Sequence, residues 1–440
     1  MPAQRVSDSA AATSRRSFLK ATSVLAAGAA VASPLVFGRS AHAAGSDLLK
    51  IGLIGCGGRG TGAAGNALRA DKNCKLVAMA DAFPDRLEGC LHALKGFGGK
   101  VAVDPDHRFV GLEAGQKLID SDVDVVLLCE PPHFRPIHLK AAINAGKHVF
   151  AEKPVAVDAP GVRSVLAIAE EAKKKRLNLV AGLCWRYDPA VCETMKRILD
   201  GAIGDLRTIQ ETYLTGTLWH RDRQPDWSEM TYQIRNWYYY TWLSGDFNTE
   251  QHVHSLDKAA WAMHDQPPVR AWGMGGRQVR SEAKWGNIFD HHAVVYEYAN
   301  GTHVYSYCRQ MAGCYQNVSD LMVGTKGEAI VTPHHTIKGA TNWRYKGHDA
   351  NMYDVEHQRL FAAIRAGKPI NNGDYLAKST MLAILGRMVD YTGQELTWQQ
   401  AINSQERLAP ATYRFDAEPP IKPGPDGRYP IAVPGVTKFV

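Results

Sequence analysis

Leu49-Lys50-Ile51-Gly52-Leu53-Ile54-Gly55-Cys56-Gly57-Gly58-Arg59-Gly60 reads as an apolar strand running into a G-x-G-x-x-G loop. At a strand-to-helix junction the first glycine of such a loop permits the tight turn, the second lets backbone approach a pyrophosphate, and the third allows close helix packing. The helix that follows offers unpaired N–H groups to the anion. The stretch therefore predicts a dinucleotide-binding βαβ unit, with Gly55, Gly57, Gly58, Arg59 and Gly60 at the cofactor-binding turn. Residues 76–80 are the expected second strand, and Asp81 stands at its end. A carboxylate about 20 residues beyond the loop bonds ribose hydroxyls and repels a 2′-phosphate. NAD is the expected cofactor, with NADP left open by the nearby Arg86.

Outward from this unit, short apolar runs at 49–55, 76–80, 123–129 and 148–151 alternate with helical stretches at 61–69, 115–119 and 134–145. That rhythm predicts a doubly wound parallel sheet, a Rossmann domain spanning 44–176. Past about residue 178 the strand-like runs lengthen, at 206–215, 291–298, 302–309 and 328–331, and Asn300-Gly301 is a hairpin signal. These predict a C-terminal α+β domain over 177–417 with a large, mostly antiparallel sheet. Residues 418–440 hold six prolines and little periodicity, and are expected to wrap the surface as extended chain.

The chain has 440 residues, 22% of them charged, an ordinary globular composition. Of its formal charge of +7, +4 falls in the first 43 residues, where Arg5, Arg15, Arg16, Lys20 and Arg39 face Asp8. What remains, without a dense Lys/Arg block, argues against nucleic acid and against a membrane surface. Ser14-Arg15-Arg16-Ser17-Phe18-Leu19-Lys20, a weakly apolar stretch and Ala41-His42-Ala43 follow the order of a twin-arginine export signal, with cleavage expected after Ala43. Export of a folded protein would carry a cofactor bound in the cytosol to the periplasm. Eight scattered cysteines with no C-x-x-C read as core thiols.

Downstream lie Cys129-Glu130-Pro131-Pro132-His133 and Phe150-Ala151-Glu152-Lys153-Pro154. With the glycine loop and Asp81, this Glu-Lys-Pro triplet resembles the Gfo/Idh/MocA oxidoreductase family. The resemblance implies hydride transfer at a secondary hydroxyl. Lys153 would then contact the reacting oxygen and the nicotinamide ribose, where an ammonium stabilises a forming alkoxide. The resemblance also places Glu130, Pro131, His133 and Glu152 at the cofactor cleft, and Arg186, in Trp185-Arg186-Tyr187, near the cofactor or in an interdomain salt bridge.

Ser244-Gly245-Asp246-Phe247-Asn248-Thr249-Glu250-Gln251-His252-Val253-His254 resembles the family's acid/base helix. By that resemblance His254 takes the hydroxyl proton, and Glu250 replaces the usual aspartate as its companion. On one helix Glu250, His254, Asp257 and Trp261 would share a stripe beside an apolar stripe of Val253, Leu256, Ala260 and Met263. His252 and His254, two residues apart, point about 200° away from one another on a helix, so no metal site is expected. The aromatic and polar stretch from Trp219 to Tyr240 suits carbohydrate or packs a subunit interface. Trp185, Arg235, Trp237, Gln251 and Tyr315 are the expected substrate residues.

The expected activity is oxidation or reduction of a saccharide or polyol by tightly bound NAD. One alternative is a glycosidase that uses transient oxidation and elimination, and another is a non-catalytic binding protein on the same fold. By resemblance, the expected assembly is a homodimer or homotetramer.

Overall fold

In the computed structural model, which describes residues 47–440, the first apolar run becomes β1 (Leu49–Ile54), the centre of a six-stranded parallel sheet. Its neighbours are β2 (Cys74–Asp81), β3 (Arg108–Val110), β4 (Val125–Leu128), β5 (His148–Ala151) and β6 (Leu179–Ala181), in the order β3-β2-β1-β4-β5-β6. Each adjacent pair is parallel. Helices α1 (Gly58–Ala70), α2 (Pro84–Ala93), α3 (Ala114–Ile119), α4 (Arg135–Asn144) and α5 (Ala159–Lys174) connect these strands. Leu53, Val125, Val126, Leu127 and Phe150 are wholly buried, as a sheet covered on both faces requires. The sixth strand falls beyond residue 176, so the sheet reaches Ala181 and the boundary read from sequence texture lies too early. The twin-arginine stretch and its cleavage site lie outside the described residues.

After α6 (Pro189–Leu199) the second sheet opens with β7 (Leu206–Thr215). Helices α7 (Glu229–Arg235), α8 (Thr241–Ser244), α9 (Phe247–Glu250) and α10 (Val253–Ala262) follow. The sheet continues as β8 (Arg270–Gly276), β9 (His291–Glu297), β10 (His303–Gln310), β11 (Asn317–Gly324), β12 (Gly327–Ile330), β13 (Thr336–Gly339) and β14 (Trp343–Arg344). Helices α11 (Met352–Ala366) and α12 (Gly373–Thr392) precede β15 (Leu396–Thr397) and α13 (Trp398–Asn403). The order is β14-β13-β12-β11-β7-β10-β9-β8-β15, antiparallel except where β10 runs alongside β7. Asn300-Gly301 turns β9 into β10, with Gly301 at φ +80°.

One helix joins the two halves. α12 is buried along nearly its whole length, the mark of a helix with no solvent face. Its Thr380 Oγ1 accepts from Val155 N at 3.2 Å and its Arg387 Nη1 donates to Val157 O at 2.9 Å, while its Tyr391 reaches Asp246. Among the described residues no helix is long and apolar enough to cross a membrane. Residues 418–440 form neither helix nor strand.

Candidate active site

The strand order reverses direction between β1 and β4, and the loops leaving their carboxyl ends diverge into a crevice, the usual place for a ligand on such a sheet. Gly55 sits there at φ +91°, a conformation that favours glycine, and a Cβ on it would stand 2.5 Å from Glu130 N. A Cβ on Gly60 would stand 1.8 Å from Gly55 O, so helix and loop touch through bare backbone. A Cβ on Gly57 or Gly58 would meet nothing within 4 Å, because these two face open space. No side chain caps the N-terminus of α1, which leaves its first N–H groups for an anion. Asp81, at the end of β2, accepts from Cys56 N at 2.7 Å and Phe83 N at 2.9 Å and so ties the glycine loop to the end of that strand. These features fit a dinucleotide.

The cavity around them measures about 490 Å³. Gly55, Gly57, Gly58, Arg59, Gly60, Asp81, Glu130 and Pro131 line it. His133 does not. Its ring turns into an aromatic cluster against Phe134 and Trp242, bonds Tyr413 Oη at 2.9 Å, and is pulled down to about pKa 4 by burial. The 130–133 loop presents Glu130 and Pro131 to the cleft and spends His133 on packing.

Buried Arg135, at the start of α4, donates 2.5 Å hydrogen bonds to both Glu130 O and Pro154 O, and so pins the loop after β4 to the turn after β5. That turn carries Glu152 and Lys153. Glu152 is buried and paired with Arg59, whose Nη2 also reaches Glu356 Oε1 on α11 at 3.1 Å. Arg59 therefore braces the glycine loop against the lysine turn. Lys153 Nζ donates to Glu250 O at 2.5 Å and to Glu250 Oε1 at 3.1 Å. Both side chains are mostly covered, which strengthens the pairing.

The acid/base stretch departs from a single helix. Gly245 and Asp246 both have positive φ, and a turn at Gln251 and His252 separates α9 from α10. Glu250 and His254 therefore lie on different helices, and the carboxylate faces Lys153 rather than the imidazole. The apolar stripe of Val253, Leu256, Ala260 and Met263 is buried as expected. His254 Nδ1 is buried with no hydrogen-bond partner. Burial first, then the charges of Lys153, Lys258 and Arg59, hold this imidazole well below its ordinary pKa, so it is neutral near neutral pH. His252 instead bonds Ser306 Oγ at 2.7 Å and faces Tyr213.

Several expected contacts fall elsewhere. Arg186 donates to both oxygens of Asp257 and to Asp265, with Tyr375 stacked 4.0 Å away, and does not line the nucleotide cleft. Trp185 lies over Lys258, Gln251 Oε1 accepts from Gln310 Nε2 at 2.7 Å, and Tyr315 is 73% exposed. Arg235 and Trp237, read as substrate residues, line the nucleotide cavity together with Trp219 and Arg221. The glycine pattern could not have revealed these cavity residues, nor Phe83, Leu112 and His138.

The fold and its crevice define a dinucleotide-binding α/β protein with a lysine-bearing turn. Residues 49–179 match the Gfo/Idh/MocA model, that of an oxidoreductase family with an NAD-binding Rossmann fold. An inositol 2-dehydrogenase of Rhizobium meliloti (strain 1021) is 29% identical over 219 residues, 50% of this chain and 56% of that protein. One from Paracoccus denitrificans (strain Pd 1222) is 32% identical over 154 residues, 34% of this chain and 42% of that protein. The chain thus spans about half the length of the curated relatives it matches. A scyllo-inositol dehydrogenase of Lactobacillus casei, solved with NAD(H) and scyllo-inositol, shares the fold with a TM-score of 0.62 at 19% identity, over 80% of this chain and 99% of that one.

Proposed function

We propose that the protein is an NAD-dependent oxidoreductase that moves hydride between a secondary hydroxyl carbon of a saccharide or polyol and the nicotinamide. The observation that carries this reading is the juxtaposition at the carboxyl end of β5. Lys153 is held by Glu250, and its charge helps keep the His254 imidazole, with its unpartnered Nδ1, neutral. A nucleotide held by the glycine loop and Asp81 would supply the hydride acceptor. The Lys153 ammonium stabilises negative charge on the substrate oxygen as the C–H bond breaks. His254 accepts the hydroxyl proton, so the alcohol loses one hydride and one proton and becomes a ketone. Glu250 holds the ammonium in place through two contacts and keeps a counter-charge beside it.

The inositol dehydrogenases among the relatives support a cyclic polyol or sugar as the substrate class. The N-terminal arginine pair supports export with nucleotide already bound, and a homo-oligomer fits the same family.

The test is to purify the full chain without added nucleotide, denature it, and identify any released cofactor by mass. Inositols, free aldoses and aryl glycosides are then supplied to the intact protein. Formation of a ketone with matching NADH supports the proposal. Sugar release with no net redox change would replace it with oxidation and elimination, and failure to take up NAD at all would leave a binding protein.

A further inference from the structure

The cavity beside Asp81 has two walls of different origin. One comes from the nucleotide half, the glycine loop with the segments after β2, β3 and β4, and the other is Trp219, Arg221, Ile234, Arg235 and Trp237, from the stretch between β7 and α8. Nothing in a Rossmann unit requires that second wall. Across the mouth it shares one apolar cluster with Phe83 and Phe134, and Arg235 donates from both terminal nitrogens to Asp85, at 3.1 and 2.9 Å. The same guanidinium lies 3.9 Å from the centre of the Phe83 ring and 4.9 Å from that of Trp227. The wall is also held from behind. Ser228 Oγ bonds Phe415 O, Gln233 Nε2 donates to Ile421 O at 2.7 Å, and Tyr429 Oη donates to Glu229 Oε1 at 2.5 Å. The chain from Phe415 to Tyr429 therefore backs α7. Within the cavity the Arg221 guanidinium donates no hydrogen bond to another described residue, so its donors are available to a ligand.

We infer that this segment is the outer wall of the adenosine end of the nucleotide site, latched by Arg235 and Asp85, and that it slows nucleotide release. The inference rests on the proposed nucleotide site and adds the element that retains its occupant. The wall comes from the substrate half, so the nucleotide is enclosed by both halves and leaves only when the latch opens. Arg221 supplies a cation to ribose or phosphate oxygens on that side. A bidentate guanidinium–carboxylate pair stacked on two rings holds a geometry that a single exposed ion pair does not.

The experiment loads the full chain with NADH, chases it with excess NAD, and follows loss of bound NADH fluorescence. Asp85→Asn and Arg235→Ala are compared with the parent. The Asp85 side chain is 54% exposed, so its replacement leaves the core intact, and circular dichroism checks that both variants fold. Release at least about tenfold faster in both variants is expected, equivalent to about 1.4 kcal/mol. Unchanged release from variants that bind NADH would overturn the latch while leaving the proposed nucleotide site standing. A parent that binds no NADH would overturn both.

Discussion

Lys153 carries a charge whose value depends on where it is held. A lysine on the surface would be solvated and swing freely, whereas here two contacts to Glu250 and the Arg135 bond to Pro154 O fix the turn that bears it. Lys153→Met is expected to lower kcat/KM by about 10² to 10³ while NADH still binds, because the proposed mechanism sets this ammonium against the reacting oxygen. Steady-state kinetics beside a fluorescence titration separate the two effects. The proposed base, His254, is already free of its proton near neutral pH, since burial and neighbouring cations hold its pKa well below 6.5. In kcat/KM no acid limb from this group should appear between about pH 6 and pH 8. A limb in that window that vanished in His254→Gln would show that the imidazole is not held down.

At the scale of elements, the strained entry to α9 is secured by charge. Asp246 adopts φ +74°, rare for a residue with a side chain, and its carboxylate accepts from Phe289 N at 3.0 Å and Tyr391 Oη at 2.5 Å. His292 stands between Asp246 Oδ1 at 3.3 Å and Asp390 Oδ2 at 2.8 Å, joining β9 to α9 and α12. Burial alone would lower its pKa, but the two carboxylates more than reverse this and raise it to about 9. A raised folded-state pKa stabilises the fold fully below the unfolded value of about 6.5, and that contribution is lost as pH rises through about 9. Thermal melts from about pH 6 to about pH 10 should therefore show an alkaline decline that is weaker in His292→Gln, and parallel curves would refute the linkage.

The helix pattern here was only half legible. Apolar spacing placed the buried face of α10 correctly, since core-facing positions repeat every three or four residues. It also carried Glu250 and His254 onto one stripe, which the turn at Gln251 and His252 breaks. That turn follows an entry geometry set by Asp246, whose partners Phe289, His292 and Tyr391 are remote in sequence.

Across the whole molecule, the halves are bolted together by buried charge as well as by α12. Arg186 leaves the parallel sheet just after β6 and meets Asp257 on α10 and Asp265 beyond it, between the rings of Trp261 and Tyr375. Arg186→Ala leaves both carboxylates without that partner, and Asp257 is fully buried. The expected loss is about 3 to 5 kcal/mol in urea unfolding, and a loss below about 1 kcal/mol would mean that this ion pair does not hold the halves together. NAD at about 100 times its Kd should add about 2.7 kcal/mol by mass action, read as a rise in Tm.

By itself the sequence determined the parallel sheet, the glycine loop, Asp81 at the second strand end and the lysine turn. Each is written in neighbouring residues, where strand alternation, a glycine conformation and a strand end are local matters. Tertiary structure alone decided that Arg186 is a bolt and that His133 packs into an aromatic cluster. It also decided that Arg235 and Trp237 line the cavity beside the glycine loop and Asp81. The pairing of Arg235 with Asp85 spans 150 residues, and chain composition cannot say that so distant a loop will close this cleft. That closure follows from how the two sheets pack around α12, which brings the substrate half over the end of β2.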